Sequence, residues 1–497
     1  MGDHFISFEQ AESDLLSCAA FLAERIKSSD GHAEAMRTII PRYLAKGDVD
    51  LAAELANAVD DPFSRDKLLT VVAEKCAELD DDEYARQLAD AIEDHGMHAQ
   101  AMEHIALIMA GKGKTAEAAD VASSLTHPDF VFSGMAVHQA ANGDKVGAAA
   151  TLERIEFPMA RATALQQIAA TQIETKEIEE ALSRLEQATV AATEIEHDEE
   201  KIRTLCDIGN LFIEAKRNDK AIETFELARL SAEVLDNIHR DFFLVNCALG
   251  FLFAGSTELA DRTLDLVTDK TQMSSALLGL ARHQWGKDEK NDALETLDEA
   301  HAILNSQKEA ETRDSRARNG LMASIAAQFA GFGNSDRGIE IALQNQHPNE
   351  QMAALSQIAQ IQMLQRSDEL ARQTVDLIAE DASRLLTLVA LSDAKQKLGE
   401  REASVKLLDE AATLTETVPQ LAARSGVLNE IASRYVENGE TAKAREIAHE
   451  DLNLICEIRD ESSRAVELAR LSGVYERSNF ELSEDEKLIL EKLTRKV

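Results

Sequence analysis

His95, His98 and His104 fall within ten residues of one another, beside Glu93 and Asp94. Histidines at i and i+3 with a third nitrogen or carboxylate make a zinc-ligand spacing. Gly96, between the first two, reads as a turn, so the segment is expected as a solvated loop without metal. Five cysteines (Cys18, Cys76, Cys206, Cys247, Cys456) stand far apart with no CxxC pair. An odd count in a large chain reads as reduced, mostly buried thiols of a cytoplasmic protein. The acidic runs Asp80–Glu83 and His197–Glu200 lack the alternating ligands and central glycine of a calcium loop. P-loop, GxGxxG, GxSxG and HExxH patterns are absent. No cofactor is expected, and the chain does not read as an enzyme.

The remaining candidate is apolar. The segment Phe242–Phe253, FFLVNCALGFLF, carries more apolar bulk than one buried helix face requires. Either it is a central helix covered on both sides, or it exposes a strip to a peptide or partner helix. On the second reading Phe242, Phe243, Phe251 and Phe253 bury the ligand's side chains. The amides of Asn210 and Asn246 then fix its backbone.

Composition says which elements hold these residues. Of 497 residues, 22 are Gly, 6 are Pro and 4% are aromatic. An all-β chain needs turn signals roughly every 8–12 residues and many β-branched or aromatic side chains. Ala, Leu, Glu, Gln and Lys dominate instead, so the chain reads as all-α. Lys and Arg number 52 against 90 Asp and Glu, a formal charge of −38. Such a surface repels polyphosphate and anionic head groups, which excludes nucleic acid and membrane as main partners. Met1–Glu9 has no basic or apolar secretory pattern, and Phe242–Ala254 is too short to span a bilayer.

A repeat organises the helices. An apolar residue recurs at Ile40, Val72, Ile105, Met135, Ile168, Ile208, Ala248, Leu280, Ile325, Ile358, Leu391 and Ile431. Ten of the twelve are followed directly by a small residue, such as Ala73, Gly209 or Ser392. Thirteen positions on, eleven of twelve are small (Ala53, Ala85, Gly338 and Ala444 among them), with Asp261 the exception. Polar breaks such as Lys46-Gly47-Asp48 and Asn438-Gly439-Glu440 lie between the two columns and predict a tight turn between two helices. Small residues at one level on both helices let the backbones approach. Pro62, Pro128, Pro158 and Pro348 fall 22 or 23 residues after an anchor, in the connections. Spacings of 40 add two helical turns, so the units from Ile168 to Ala248 and from Leu391 onward are expected to be taller.

These columns resemble the tetratricopeptide repeat family. The resemblance implies a right-handed α-solenoid of about 12–13 antiparallel helix pairs over residues 31–478, its groove lined by the first helix of each pair. Residues 1–30 and 479–497 are expected as polar-faced capping helices, the second opened by a Ser483–Glu486 capping box. The function expected is a non-enzymatic scaffold binding a protein or peptide. The alternative is a regulatory sensor for a small ligand or short peptide.

Seven residues before the anchor, Arg65, Arg161, Lys201, Arg318, Arg384, Arg424 and Arg464 form a basic ladder. A cation in the first turn opposes the helix dipole. The ladder is therefore expected to clamp the end of the preceding helix, with recognition of an acidic ligand as the rival reading. Cys206 and Cys247, near-equivalent in consecutive units, are expected to approach one another as core thiols.

Overall fold

The computed structural model describes residues 5–306 and 315–495. Among them are 28 α-helices and no strand. Two short helices, α1 (Phe8–Ser13) and α2 (Leu15–Ala23), come first. The rest form thirteen pairs. The first four are α3 (Ser29–Lys46) with α4 (Val49–Asn57), α5 (Pro62–Glu78) with α6 (Asp82–Asp90), α7 (His95–Gly111) with α8 (Thr115–Ser124), and α9 (Asp129–Ala141) with α10 (Lys145–Glu153). Then follow α11 (Pro158–Glu174) with α12 (Ile178–Thr193), α13 (Asp198–Glu214) with α14 (Asn218–Glu233), α15 (Arg240–Phe253) with α16 (Thr257–Leu264), and α17 (Lys270–Gly286) with α18 (Lys290–Asn305). Next are α19 (Ser315–Gly331) with α20 (Ser335–Gln344), α21 (Pro348–Leu364) with α22 (Asp368–Asp376), and α23 (Asp381–Lys397) with α24 (Arg401–Leu414). The last are α25 (Leu421–Glu437) with α26 (Thr441–Ile455), and α27 (Glu461–Ser478) with α28 (Glu484–Arg495). The expected all-α architecture of helix pairs is present. No helix among the described residues is long and apolar enough to cross a membrane.

Thirteen of the described residues have positive φ, one in the turn of each pair. Seven are glycines, including Gly47 and Gly255, and six are not, including Asp80, Lys216 and Asn479. They sit eight residues after the anchor once two anchors are moved by one position and Leu471 is taken as the anchor of the last pair. Ile39 replaces Ile40, and Cys247 replaces Ala248. In this register the small residue thirteen later becomes Ala52 and Ala260, both buried, and the exception at Asp261 disappears. The column has the expected cause: a Cβ on Gly338 of α20 would stand 2.5 Å from the Ala326 carbonyl oxygen of α19. The prolines mostly open first helices, as Pro62 and Pro158 do at the first turn of α5 and α11.

The added turns go to the second helix of a pair. α12 and α14 have 16 residues each, against 9 in α10 and 8 in α16. The unit anchored at Cys247 is therefore a short one, not the tall unit expected there.

Two compact units divide the chain, a terminal unit of Met1–Ile105 with Leu355–Val497 and a middle unit of Ala106–Ala354. In the terminal unit the end segments, expected as polar-faced caps, pack on each other. α27 lies against α2 and α3, and α1 against α28. Ser462 donates to the Gly31 carbonyl at 3.0 Å, and Lys46 pairs with Glu476 at 2.9 Å. The Ser483–Glu486 capping box is formed: the Ser483 N–H donates to the Glu486 carboxylate at 2.8 Å, and the Glu486 N–H to the Ser483 hydroxyl at 3.3 Å. The buried Glu486 also accepts from Tyr475 at 2.8 Å.

Candidate functional site

In the middle unit, α13, α14 and α15 meet around one ring. Phe225 of α14 is buried between Gly209 of α13 and Gly250 of α15. A Cβ on Gly209 would approach that ring to 2.7 Å, and one on Gly250 to 2.3 Å. Phe251 meets Phe225 edge-on at 6.0 Å between centroids. Phe243 and Phe251 are thus core residues, not part of an exposed strip. They and the two glycines set how closely α15 lies to α13 and α14.

The opposite face of α15 stays open. Phe242, Asn246, Leu249 and Phe253 follow at i, i+4, i+7 and i+11, which is one helix stripe. Phe242 and Phe253 are 43% and 44% exposed, and Asn246 and Leu249 are half-buried. Phe253 leans on His283 of α17 at 5.3 Å, and Leu249 fills the space that Gly279 leaves. The matching row on α13 is Arg203, Asp207, Asn210 and Glu214, all exposed. An apolar row therefore stands beside a polar one. In the corrected register Asn246 is level with Asp207, and Asn210 with Leu249, so the two amides do not occupy equivalent places.

Beneath these rows, the Cys206 and Cys247 sulfurs lie 3.8 Å apart and buried. The hydrogen bond to Cys247 and burial hold the Cys206 thiol well above its ordinary range. Both act as packing groups in this environment.

Two members of the basic ladder, Arg161 and Arg464, clamp the end of the preceding pair as expected, and Arg65, Arg318, Arg384 and Arg424 bond elsewhere. Arg161 donates through Nε at 3.1 Å, and through Nη2, to the Ile155 carbonyl six residues upstream. Arg464 does the same to the Ile458 carbonyl, at 2.9 Å through Nε. Arg424 reaches Glu450 of α26 at 3.0 Å, and Arg65 pairs with Asp66 and Glu93. Arg384 and Arg318 do not clamp a preceding helix: Arg384 pairs with Asp381 and Arg318 donates to Asn319 at 3.1 Å, each within its own helix. The corrected register adds a member that the sequence reading missed. Arg240, seven before Cys247, donates to the Leu266 carbonyl at 3.1 Å.

A second ladder also went unread. The acid six residues before the anchor caps the start of the next pair. Asp66 accepts from the N–H groups of Glu93 and Asp94 at 3.1 and 2.9 Å. Asp129 accepts from Phe157 at 2.8 Å, and Asp241 from Thr268 and Asp269 at 2.7 and 2.6 Å. Its signal was an acid at a fixed distance from Val72, Met135 and Cys247.

The histidines do not converge. α7 begins at His95, His98 faces Asp90 at 3.4 Å, and His104 faces Glu74. Among the described residues no three His, Cys, Asp or Glu side chains are grouped to hold a metal ion.

No protein-family model and no curated protein sequence matches the chain. Solved structures align weakly. Ton1535 from Thermococcus onnurineus NA1 is 16% identical over 72% of this chain and 98% of its own, with a TM-score of 0.25. A chain of Naa15/Naa10 bound to HypK-THB is 14% identical over 86% of this chain and 74% of its own, at 0.31. The apo quorum sensor NprR from B. thuringiensis is 12% identical over 65% of this chain and 97% of its own, at 0.26.

Proposed function

We propose that this chain is a non-enzymatic, cytoplasmic repeat scaffold of the tetratricopeptide type, and that it takes a protein or peptide on the open rows of α13 and α15. The observation that supports this is the row Phe242, Asn246, Leu249 and Phe253, apolar at both ends and open on a helix whose other faces are packed. The adjoining row of Arg203, Asp207, Asn210 and Glu214 supplies hydrogen-bonding partners of both signs. A ligand with alternating apolar and polar side chains suits the pair of rows. Phe243 and Phe251 fix α15 from behind and do not touch the ligand.

Capture from lysate of the source organism, with proteins identified by mass spectrometry, tests the reading. The Phe242→Ser, Phe253→Ser double variant should lose the captured partner while keeping the helical circular dichroism and melting temperature. Undiminished capture by that folded variant moves the site elsewhere. Thermal stabilisation by a small metabolite, with no captured protein, favours the sensor reading instead.

A further inference from the structure

We infer that the chain has a second docking surface, on the second helices α12 and α14, and that its occupant is a cationic amphipathic helix of a partner protein. Leu227, Leu230 and Val234 run along one stripe at i, i+3 and i+7, the spacing of a coiled-coil seam. They are 38%, 50% and 75% exposed, and Ile238 just beyond is 69% exposed. Forty residues earlier Val190 holds the place of Leu230 on α12, at 62%.

The length of these helices explains the exposure. The two added turns of α14 rise past the eight-residue α16, and those of α12 past the nine-residue α10. On those outer sides, toward α10 and α16, no second helix of equal length flanks them. Exposure alone does not make a site, since single surface aliphatics are ordinary. The other long second helices supply the comparison. Nine residues after the small column, α18, α24 and α26 carry Ala302, Thr413 and Asn453, all exposed. Where Val234 stands on α14, they carry Ser306, Thr417 and Glu457. The first of these places is aliphatic only on the neighbouring α12 and α14, and the second only after α14, since Glu194 follows α12 there.

Charge selects the occupant. Arg229, the cation within the stripe, is held between Glu226 at 2.7 Å and Glu233 at 2.8 Å. Asn237 ties the turn bearing Ile238 to Glu199 at 2.8 Å. With Asp236, Glu194 and Glu196 nearby in the chain, the rim of the stripe is acidic. A helix with leucines at heptad spacing flanked by Lys or Arg matches both the seam and the rim.

The test uses the full chain and a labelled synthetic helix with leucines at a and d positions and lysines beside them. A glutamate version and a scrambled version of the same length serve as comparators. Fluorescence anisotropy should show saturable binding of the lysine peptide only, weakening as salt rises. Leu227→Ser, Leu230→Ser, Val234→Ser together should weaken it about tenfold or more, as loss of apolar anchors does. Phe242→Ser, Phe253→Ser should leave it unchanged. The proposal is overturned by equal binding of the glutamate or scrambled peptide, or by stripe variants that bind as the parent does. It is overturned as well if sedimentation shows that the stripe joins two copies of this chain.

Discussion

α2 and α15 are both too apolar for a helix with one buried face, and they end differently. In α2, LLSCAAFLA, every residue except Ser17 is buried, because α1, α3, α27 and α28 surround it. In α15, FFLVNCALGFLF, the neighbours cover Phe243 and Phe251 and leave Phe242 and Phe253 open. Surplus apolarity therefore has two meanings. In the terminal unit it packs the first helices against the last, and in the middle unit part of it stays exposed. Truncation separates the two. Phe21 is fully buried against Phe8 at 4.8 Å and under the Arg25 guanidinium. Phe21→Ala should cost about 3–5 kcal/mol by chemical denaturation, as deletion of a core aromatic does. Phe253→Ala should cost less than about 1 kcal/mol, as surface changes do. Similar losses at both places would end the distinction.

The clamps should not follow that contrast. Arg464 in the terminal unit and Arg161 in the middle unit make the same paired bond to a carbonyl six residues back. Each change to Ala should lower stability by about 1.5–3 kcal/mol, the range for a hydrogen bond to a charged group. If either variant keeps its melting temperature and loses a ligand, that arginine belongs to recognition.

Buried aspartates sharpen the comparison of the units through pH. Burial alone would raise Asp241, but the donors on Asp269 and Thr268 hold its carboxyl below the usual range. Asp451 in the terminal unit is fully buried, with Ser425 and Asn429 beside its carboxyl and no cation among the described residues to offset the burial. Burial first, and then Glu467, raise it well above the usual range. The signs are opposite. Asp241 contributes stability above its unfolded value of about 4, and that contribution is lost as pH falls through the folded value. Asp451 keeps its proton in the folded chain, so stability declines as pH rises past about 4. Asp241→Asn should lower the melting temperature near neutral pH, with the deficit shrinking in acid. Asp451→Asn should raise stability by about 1 kcal/mol, with the gain growing from pH 4 toward 8.

Much of this architecture was legible because repeats state each requirement many times. The alternation of helix, tight turn and helix and the small column follow from spacing alone. The register slipped at Ile40 and Ala248, where the rule of an apolar residue before a small one is met ambiguously. Tyr43 and Phe251, four residues after the true anchors, and Gly47 and Gly255, eight after, resolve it. That one-residue slip hid both Arg240 and Asp241. The junction of the two ends was not legible, since the apolar residues of α2 look alike whether solvent, a ligand or α27 lies beside them. For the same reason the sequence did not divide Phe242 and Phe253 from Phe243 and Phe251. The division depends on where α14 places Phe225.

The smallest expected effect on stability bears most on function. Asn210 is exposed on α13 and Asn246 half-buried on α15. If either amide held neighbouring turns together, its loss would leave unpaired backbone groups and lower the melting temperature. Asn210→Ala with Asn246→Ala should instead change stability by no more than about 0.5 kcal/mol, as for surface positions without a special role. Partner capture should fall, because an amide supplies both a donor and an acceptor to an extended backbone and alanine supplies neither. The single variants divide the effect by level. Asn246 lies between Phe242 and Phe253 in the apolar row, so its loss should weaken capture more than that of Asn210, which shares its row with Asp207 and Glu214. Equal losses would place the ligand across both rows, and a lower melting temperature with intact capture would return both amides to the scaffold.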